Sequence, residues 1–250
     1  MRVLSVINQK GGVGKTTTAM NLGHALALRG YRVLALDLDP QSHLSASLGI
    51  HGARQGMDSV LLGEAALADV AVEVRDGLSL VPAGPRLNEV DSMTQGGADR
   101  GWLLHNAIQE MKDDYDFVIT DCPPSAGVLA MNAIFAAQEL LIPVSGDFLA
   151  LHGLSRLMGI LARFEKSLKR DLAKWIVLTR FQERRRHSQE VRDKILEYFN
   201  GQVLATTVRE SVVLTESPSF GKTIFDYRPT HRSAEEFHAL AEDLLERRVH

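Results

Sequence analysis

Lys10-Gly11-Gly12-Val13-Gly14-Lys15-Thr16-Thr17 decides the fold, because it stands between a strand-length apolar run and a helical one. Ahead of it, Arg2-Val3-Leu4-Ser5-Val6-Ile7-Asn8 has the length and apolar content of a buried strand. Behind it, residues 16–29 read as a helix, with Gly30 where a C-cap glycine belongs. Three glycines let a backbone approach a polyphosphate closely and turn its N–H groups inward. A helix beginning near Lys15 adds unsatisfied N–H groups and the positive end of its dipole. In that chemistry Gly11, Gly12, Val13, Gly14, Lys15, Thr16 and Thr17 cradle a nucleotide. Lys15 reaches the β- and γ-phosphates, and the Thr16 hydroxyl binds Mg²⁺. The usual spacing G-x-x-x-x-G-K-[ST] fails only at its first glycine, where Gln9 stands; Lys10 is a second lysine ahead of Gly11. A plain glycine-rich turn would not demand so many specified residues in a strand–loop–helix setting.

Outward from the loop, Arg32-Val33-Leu34-Ala35-Leu36-Asp37 is a second strand, and further strands are expected at residues 78–81, 117–120, 140–144, 175–178 and 202–205. Helical patterns separate most of them. Residues 188–199 place Val191, Ile195, Tyr198 and Phe199 on one face, and Ser233-Ala234-Glu235-Glu236 is a capping-box pattern leading into Phe237, Leu240, Ala241 and Leu244. Near-continuous apolar strands alternating with helices imply an α/β fold with a mostly parallel, twisted sheet covered by helices on both faces. With no repeat, low-complexity tract or linker, residues 1–250 are expected to form a single domain.

Composition sets the bounds. The chain has 250 residues, 45% hydrophobic and 24% charged, as a globular protein does, which excludes disordered, collagenous and coiled-coil classes. Cys122 is its one cysteine, so an internal disulfide is impossible; a lone buried thiol packs as a small hydrophobe. No apolar stretch approaches the roughly 20 residues of a membrane span, and Asn8-Gln9-Lys10 interrupts the first apolar run too early for a signal peptide. These features imply a soluble, cytoplasmic protein. Net charge is −3, yet residues 163–194 hold 11 Lys/Arg against 5 Asp/Glu. That local excess includes Arg184-Arg185-Arg186, which is either a solvated face or a polyanion-binding patch.

Two acidic motifs accompany the loop. Asp37 and Asp39 lie at the C-terminal end of a strand, where open α/β sheets bind ligands, and their i, i+2 spacing projects both to one side. Asp121 closes the apolar run at 117–120. Together with Asn8-Gln9-Lys10 and the loop, the stretches Asp37-Leu38-Asp39-Pro40-Gln41, Asp121-Cys122-Pro123-Pro124-Ser125 and Glu216-Ser217-Pro218-Ser219-Phe220-Gly221-Lys222 resemble the ParA/Soj-type partition ATPases, members of the ParA/MinD class of P-loop NTPases with a deviant Walker A motif. The likeness runs from residue 2 to about residue 245.

That resemblance implies ATP and Mg²⁺ as cofactors. It makes Asp39 the group that positions the attacking water, Asp37 a support of the Mg²⁺ shell, and Asp121 the Walker B carboxylate that holds the ion through water. Pro123-Pro124 would stiffen a switch loop that senses the γ-phosphate. Lys10 becomes the signature lysine that reaches a partner subunit's phosphates in an ATP-dependent homodimer; contact with its own phosphates is the alternative. Family members commonly carry Pro-Arg-Asn where this chain has Arg209-Glu210-Ser211, so Arg209 and Ser211 are the candidate base contacts. Arg184 falls on a position used for non-specific DNA binding, with Arg185 and Arg186 beside it; Val213 stands where a second family arginine is expected, and Arg209 or Lys222 are candidates to compensate. The implied role is a slow, partner-stimulated ATPase that binds nucleoid DNA and positions a chromosome or plasmid locus, or a protein assembly, through a ParB-like or cargo-adaptor protein.

Two other classes share the fold. A membrane-switched MinD-like ATPase would need a basic amphipathic C-terminal helix, whereas Leu244-Leu245-Glu246-Arg247-Arg248 is short and follows acidic Glu242 and Asp243. An iron–sulfur reductase would need at least two cysteines per chain. The loop at residue 10 leaves no room ahead of it for a helix-turn-helix domain.

Overall fold

Alternation along the strands builds two cores, one on each face of a single sheet. In the computed structural model, which describes residues 1–92, 97–147 and 150–250, seven strands form that sheet. They are β1 (Arg2–Val6), β2 (Val33–Asp37), β3 (Val72–Arg75), β4 (Leu78–Val81), β5 (Phe117–Asp121), β6 (Glu139–Ser145) and β7 (Ala173–Thr179), in the order β3-β4-β2-β5-β1-β6-β7. Every pairing is parallel except β3 with β4. On β5, Val118 faces one core with Leu36, Ile142 and Leu178, while its neighbour Ile119 faces the other with Ala35 and Leu141. Helices Ala150–Leu168 and Arg186–Tyr198 cover the first face through Leu154, Leu157, Val191 and Ile195. Helices Lys15–Ala27 and Arg232–Glu246 cover the second through Leu22, Leu26, Phe237, Leu240 and Leu244. Burial on both faces is why β2, β5 and β6 are apolar or enclosed at every position.

The first helix ends as its sequence signals. Gly30 adopts φ +86°, its N–H donates to the Ala27 carbonyl at 2.8 Å, and the Tyr31 N–H reaches back to Leu26 at 3.3 Å. Three local expectations need correction. β3 is an additional antiparallel edge strand joined to β4 by Asp76-Gly77, with Gly77 at φ +72°. Residues 202–205 do not form a strand of the sheet. Val203 and Leu204 make single bridges, to Ile176 and to Val249, which is too little pairing to extend a ladder. The last long helix is capped by His231, whose Nδ1 accepts from the Ser233 N–H at 3.1 Å, not by Ser233.

The C-terminal ends of β1, β2, β5 and β7 come together at one edge, carrying the glycine loop, Asp37 with Asp39, Asp121, and Thr179 with Arg180 respectively. That is where the topology of an open α/β sheet places a ligand.

Candidate functional site

The loop after β1 is wound by its glycines: Gly12 takes φ +73° and Gly14 φ +89°, a region closed to most side chains. Gly14 precedes the first turn of the helix Lys15–Ala27. The Val13 carbonyl accepts from Thr179 Oγ1 at 2.7 Å, and the Gly12 carbonyl accepts from Arg180 Nη1 at 2.8 Å. Lys15 is buried under the loop, its ammonium 3.4 Å from the Lys10 carbonyl. Neither Val13 N–H nor Gly14 N–H has an acceptor among the described residues. The loop therefore presents free donors and an enclosed cation to whatever occupies the cleft.

The three expected carboxylates are brought together but differ sharply. Asp37 and Asp121 are register partners on β2 and β5. Asp37 is fully buried; Oδ1 accepts from the Asp39 N–H at 3.2 Å, and Oδ2 from the Ser45 N–H at 2.8 Å and Ser45 Oγ at 2.6 Å. Burial nevertheless pushes its carboxyl up to about 6. Both oxygens of Asp121 are buried with no hydrogen-bond partner among the described residues. Burial first, and the neighbouring Asp37 second, push Asp121 up to about 8. Thr16 and Lys15 oppose that shift, although no hydrogen bond of ordinary geometry joins Asp121 to either. A buried, unpartnered carboxylate beside a threonine hydroxyl and a phosphate loop fits a divalent cation that keeps most of its water. No cluster of three or more His, Cys, Asp or Glu ligands occurs among the described residues, so a tight all-protein cage is not on offer. Asp37, expected as a support of the Mg²⁺ shell, has both oxygens engaged by protein donors. Asp39 itself lines the cleft, and its Oδ1 accepts from the Gln41 N–H at 3.0 Å. Cys122 is buried and its thiol is pushed up to about 12 by desolvation, as an inert packing residue requires.

The cleft encloses about 550 Å³ and runs from Gly11, Gly12, Gly14, Lys15, Thr16 and Thr17 to the segment that follows Val208. Its far end is apolar, formed by Val208, Leu214, Pro218 and Phe237. Arg209 and Ser211 both lie on this wall. The Arg209 guanidinium, however, is held by Glu183 Oε1 at 2.6 Å and Glu236 Oε1 at 2.8 Å, which leaves it a wall strut. Sequence reading missed Thr179, Arg180, Val208 and Leu214. Thr179 closes β7 and Arg180 follows it, so the apolar run of that strand could have drawn attention to its C-terminal end; the others lie in irregular backbone and a single helical turn, where periodicity is silent.

Lys10 lies outside this cleft. It lines an adjoining polar cavity with Ser145, Arg185 and Ser188, and its ammonium pairs with Asp147, which also accepts from Ser145 Oγ at 2.6 Å. Arg184, Arg185 and Arg186 are exposed where the helix Arg186–Tyr198 begins; Arg186 pairs with Glu190 at 3.1 Å. Lys222 is exposed too, but it follows Gly221, whose carbonyl accepts from Arg75 of β3 at 2.7 Å. β3 and β7 are opposite edges of the sheet, so within one chain Lys222 does not extend the arginine patch. The helix Arg232–Glu246 buries its apolar face in the second core. No described helix is long and apolar enough to cross a membrane.

Comparison with known proteins agrees with this geometry. The family model described as "AAA domain" matches residues 1–174. The chain is similar to the chromosome partitioning protein ParA of Caulobacter vibrioides, 38% identical over 99% of this chain and 95% of that one. It is also similar to the sporulation initiation inhibitor protein Soj of Bacillus subtilis, 36% identical over 97% and 98%. Among solved structures, a Mycobacterium smegmatis protein described as cobyrinic acid a,c-diamide synthase, with a bound ATP analogue and magnesium, superposes with a TM-score of 0.85 at 31% identity, covering 98% of this chain and 95% of that one. The phosphate loop, the paired aspartate motifs and end-to-end likeness to two partition proteins lead to one assignment: the chain belongs to the ParA/Soj family of chromosome-partitioning ATPases.

Proposed function

We propose that this chain is a nucleotide-controlled switch: ATP with Mg²⁺ joins two copies, the pair binds double-stranded DNA without sequence preference, and an activator on a cargo stimulates hydrolysis and releases it. The observation that carries the reading is the position of Lys10. It sits outside its own nucleotide cleft, on the rim, while Lys15 alone fills the lysine site under the loop. A lysine so placed is available to the triphosphate of a second copy docked loop to loop.

The residues divide the work. The N–H groups from Gly11 to Thr17 and the Lys15 ammonium hold the phosphates, and Thr16 with Asp121 offers the cation its oxygens. When bound, Mg²⁺ supplies charge neutralisation on the β- and γ-oxygens. Asp39, on the cleft wall with one oxygen held by the Gln41 N–H, orients the attacking water through the other. Phosphoryl transfer asks little more than such positioning, which suits a slow timer. Arg184, Arg185 and Arg186 supply phosphate contacts to DNA. One patch binds weakly and two on one body gain avidity, so dimerisation governs DNA affinity. The cargo is a DNA locus or a protein assembly marked by a ParB-like or adaptor partner, and the location that follows is the nucleoid.

The test is sedimentation of the hydrolysis-impaired Asp39→Ala variant with saturating ATP and Mg²⁺. A dimer that retains DNA, and a monomer that does not in ADP, is the expected result. A monomer under both conditions refutes the switch.

A further inference from the structure

Thr179 and Arg180 are consecutive, and they hold consecutive carbonyls of the phosphate loop: Thr179 Oγ1 bonds Val13 and Arg180 Nη1 bonds Gly12, at 2.7 and 2.8 Å. A trans peptide plane points its C=O and N–H in opposite directions. Fixing the Gly12 carbonyl therefore fixes the Val13 N–H, and fixing the Val13 carbonyl fixes the Gly14 N–H. These two amides have no acceptor of their own among the described residues.

Arg180 reaches the loop through an unusual backbone. It adopts φ +49°, the left-handed region that L side chains avoid, at the point where β7 ends. The chain then resumes pairing: the Phe181 N–H donates to Val208 at 3.3 Å, and the Glu210 N–H donates to Phe181 at 3.2 Å. The bend turns the side chain back across the cleft wall. The second guanidinium nitrogen, Nη2, binds Glu210 Oε1 at 3.1 Å, and Glu210 also accepts from Gln182 Nε2. The guanidinium thus ties the loop to the 208–211 segment that walls the far end of the cleft. Backbone strain kept at a ligand site points to a function for the residue that bears it.

We propose that Arg180 is a positioning residue for nucleotide binding: through the Gly12 carbonyl it sets the direction of the loop's phosphate-binding amides, and Glu210 sets Arg180. Glu210, on the 208–211 segment, receives that guanidinium through Oε1 and Gln182 through its other carboxylate oxygen. The inference rests on the cleft being the nucleotide site and is independent of the DNA and partner roles.

The experiment compares the full-length chain with Arg180→Asn, Arg180→Lys, Glu210→Ala and the Arg180→Asn/Glu210→Ala double variant. Asparagine tolerates the left-handed backbone, so the fold is retained. Titration with fluorescent ATP and ADP analogues in Mg²⁺ is expected to show Arg180→Asn weakened about 5- to 30-fold for both nucleotides, the effect of losing one charged hydrogen bond. Both suffer because the amides serve phosphates common to the two. Arg180→Lys, able to satisfy one acceptor of the two, recovers part of the loss. Glu210→Ala weakens binding on the arginine background and adds nothing on Arg180→Asn, as coupled partners behave. Affinity within twofold of the parent, or a lowered melting temperature with affinity intact, overturns the proposal. A loss confined to ATP also overturns it, because it would mean direct contact with the γ-phosphate. If the parent chain binds neither nucleotide, the reading of the cleft falls as well.

Discussion

Asp37 and Asp121 stand opposite each other across β2 and β5, yet among the described residues three protein donors engage Asp37 and none engages Asp121. A buried carboxylate without donors is costly in its charged form, and the cost is relieved by a proton or by a cation. Asp37 is thereby fixed to the turn that carries Asp39 and Ser45, while Asp121 keeps both oxygens without a donor among the described residues.

Asp121→Asn should therefore stabilise the ligand-free chain while weakening Mg²⁺-dependent nucleotide binding. The sign follows from the raised carboxyl. Its stabilising share is complete below the unfolded value near pH 4 and is lost as pH rises through about 8. Thermal melts of the ligand-free parent should fall across that window relative to Asp121→Asn, with a gap on the order of 1–3 kcal/mol at neutral pH. Parallel pH profiles for the two proteins would mean that Asp121 is not raised.

Asp147→Asn should favour the ATP-bound dimer. In the single chain, Lys10 is tied to Asp147, and this pair must open before the lysine can reach another copy. Both side chains are substantially exposed, so each pair is worth about 0.2–1 kcal/mol. Two open per dimer, which puts the gain at about two- to thirtyfold in the dimerisation constant. Sedimentation equilibrium in ATP measures it; an unchanged or weaker dimer would show that Asp147 does not restrain Lys10.

Sequence made the loop, six of the seven strands and the three carboxylates legible because each sits on a buried parallel strand or at its end, where apolar runs are continuous. β3 escaped because Val72 and Glu73 are exposed and the strand is only four residues long; the Asp76-Gly77 turn was its available signal. The run at 202–205 is apolar for a different reason: Val203 and Leu204 fill the two cores below the edge of β7 without a ladder to join. Arg180 was invisible as a site residue because its role comes from a backbone bend and a bond to Gly12, 168 positions away. Arg209, expected as a base contact, lines the cleft with its guanidinium paired to Glu183 and Glu236, partners close to it only in the fold and so invisible in the sequence.

Reversing Arg184, Arg185 and Arg186 to Glu should reduce DNA retention of the ATP-bound dimer while sparing its formation. If the three contact phosphates, the slope of log affinity against log salt should shrink by about 0.9 for each contact removed. Lys222→Glu serves as the comparison, since it projects near the opposite edge of the sheet. Equal losses from both would place DNA across a wider face than the arginine patch, and an intact slope in the triple variant would move the DNA site elsewhere.

Glu139→Gln probes a tie remote from the site. Glu139 opens β6 and accepts from Arg2 Nε at 2.7 Å, Arg2 Nη2 at 2.8 Å and Trp175 Nε1 at 2.6 Å, joining the starts of β1, β6 and β7. Burial alone would raise its carboxyl, but hydrogen bonds from Arg2 and Trp175 outweigh that and hold it below the ordinary glutamate value. A depressed carboxyl contributes stability above the unfolded value, near pH 4.3, and loses it as pH falls through the folded one. Glutamine breaks the charged fork, at a cost of about 1–3 kcal/mol at pH 7. The parent's advantage should then shrink steadily below about pH 4.3, measured by urea unfolding at each pH, with nucleotide affinity unchanged throughout. A gap that stays constant into acid would mean the tie works through shape and packing, with the carboxylate's charge making no difference.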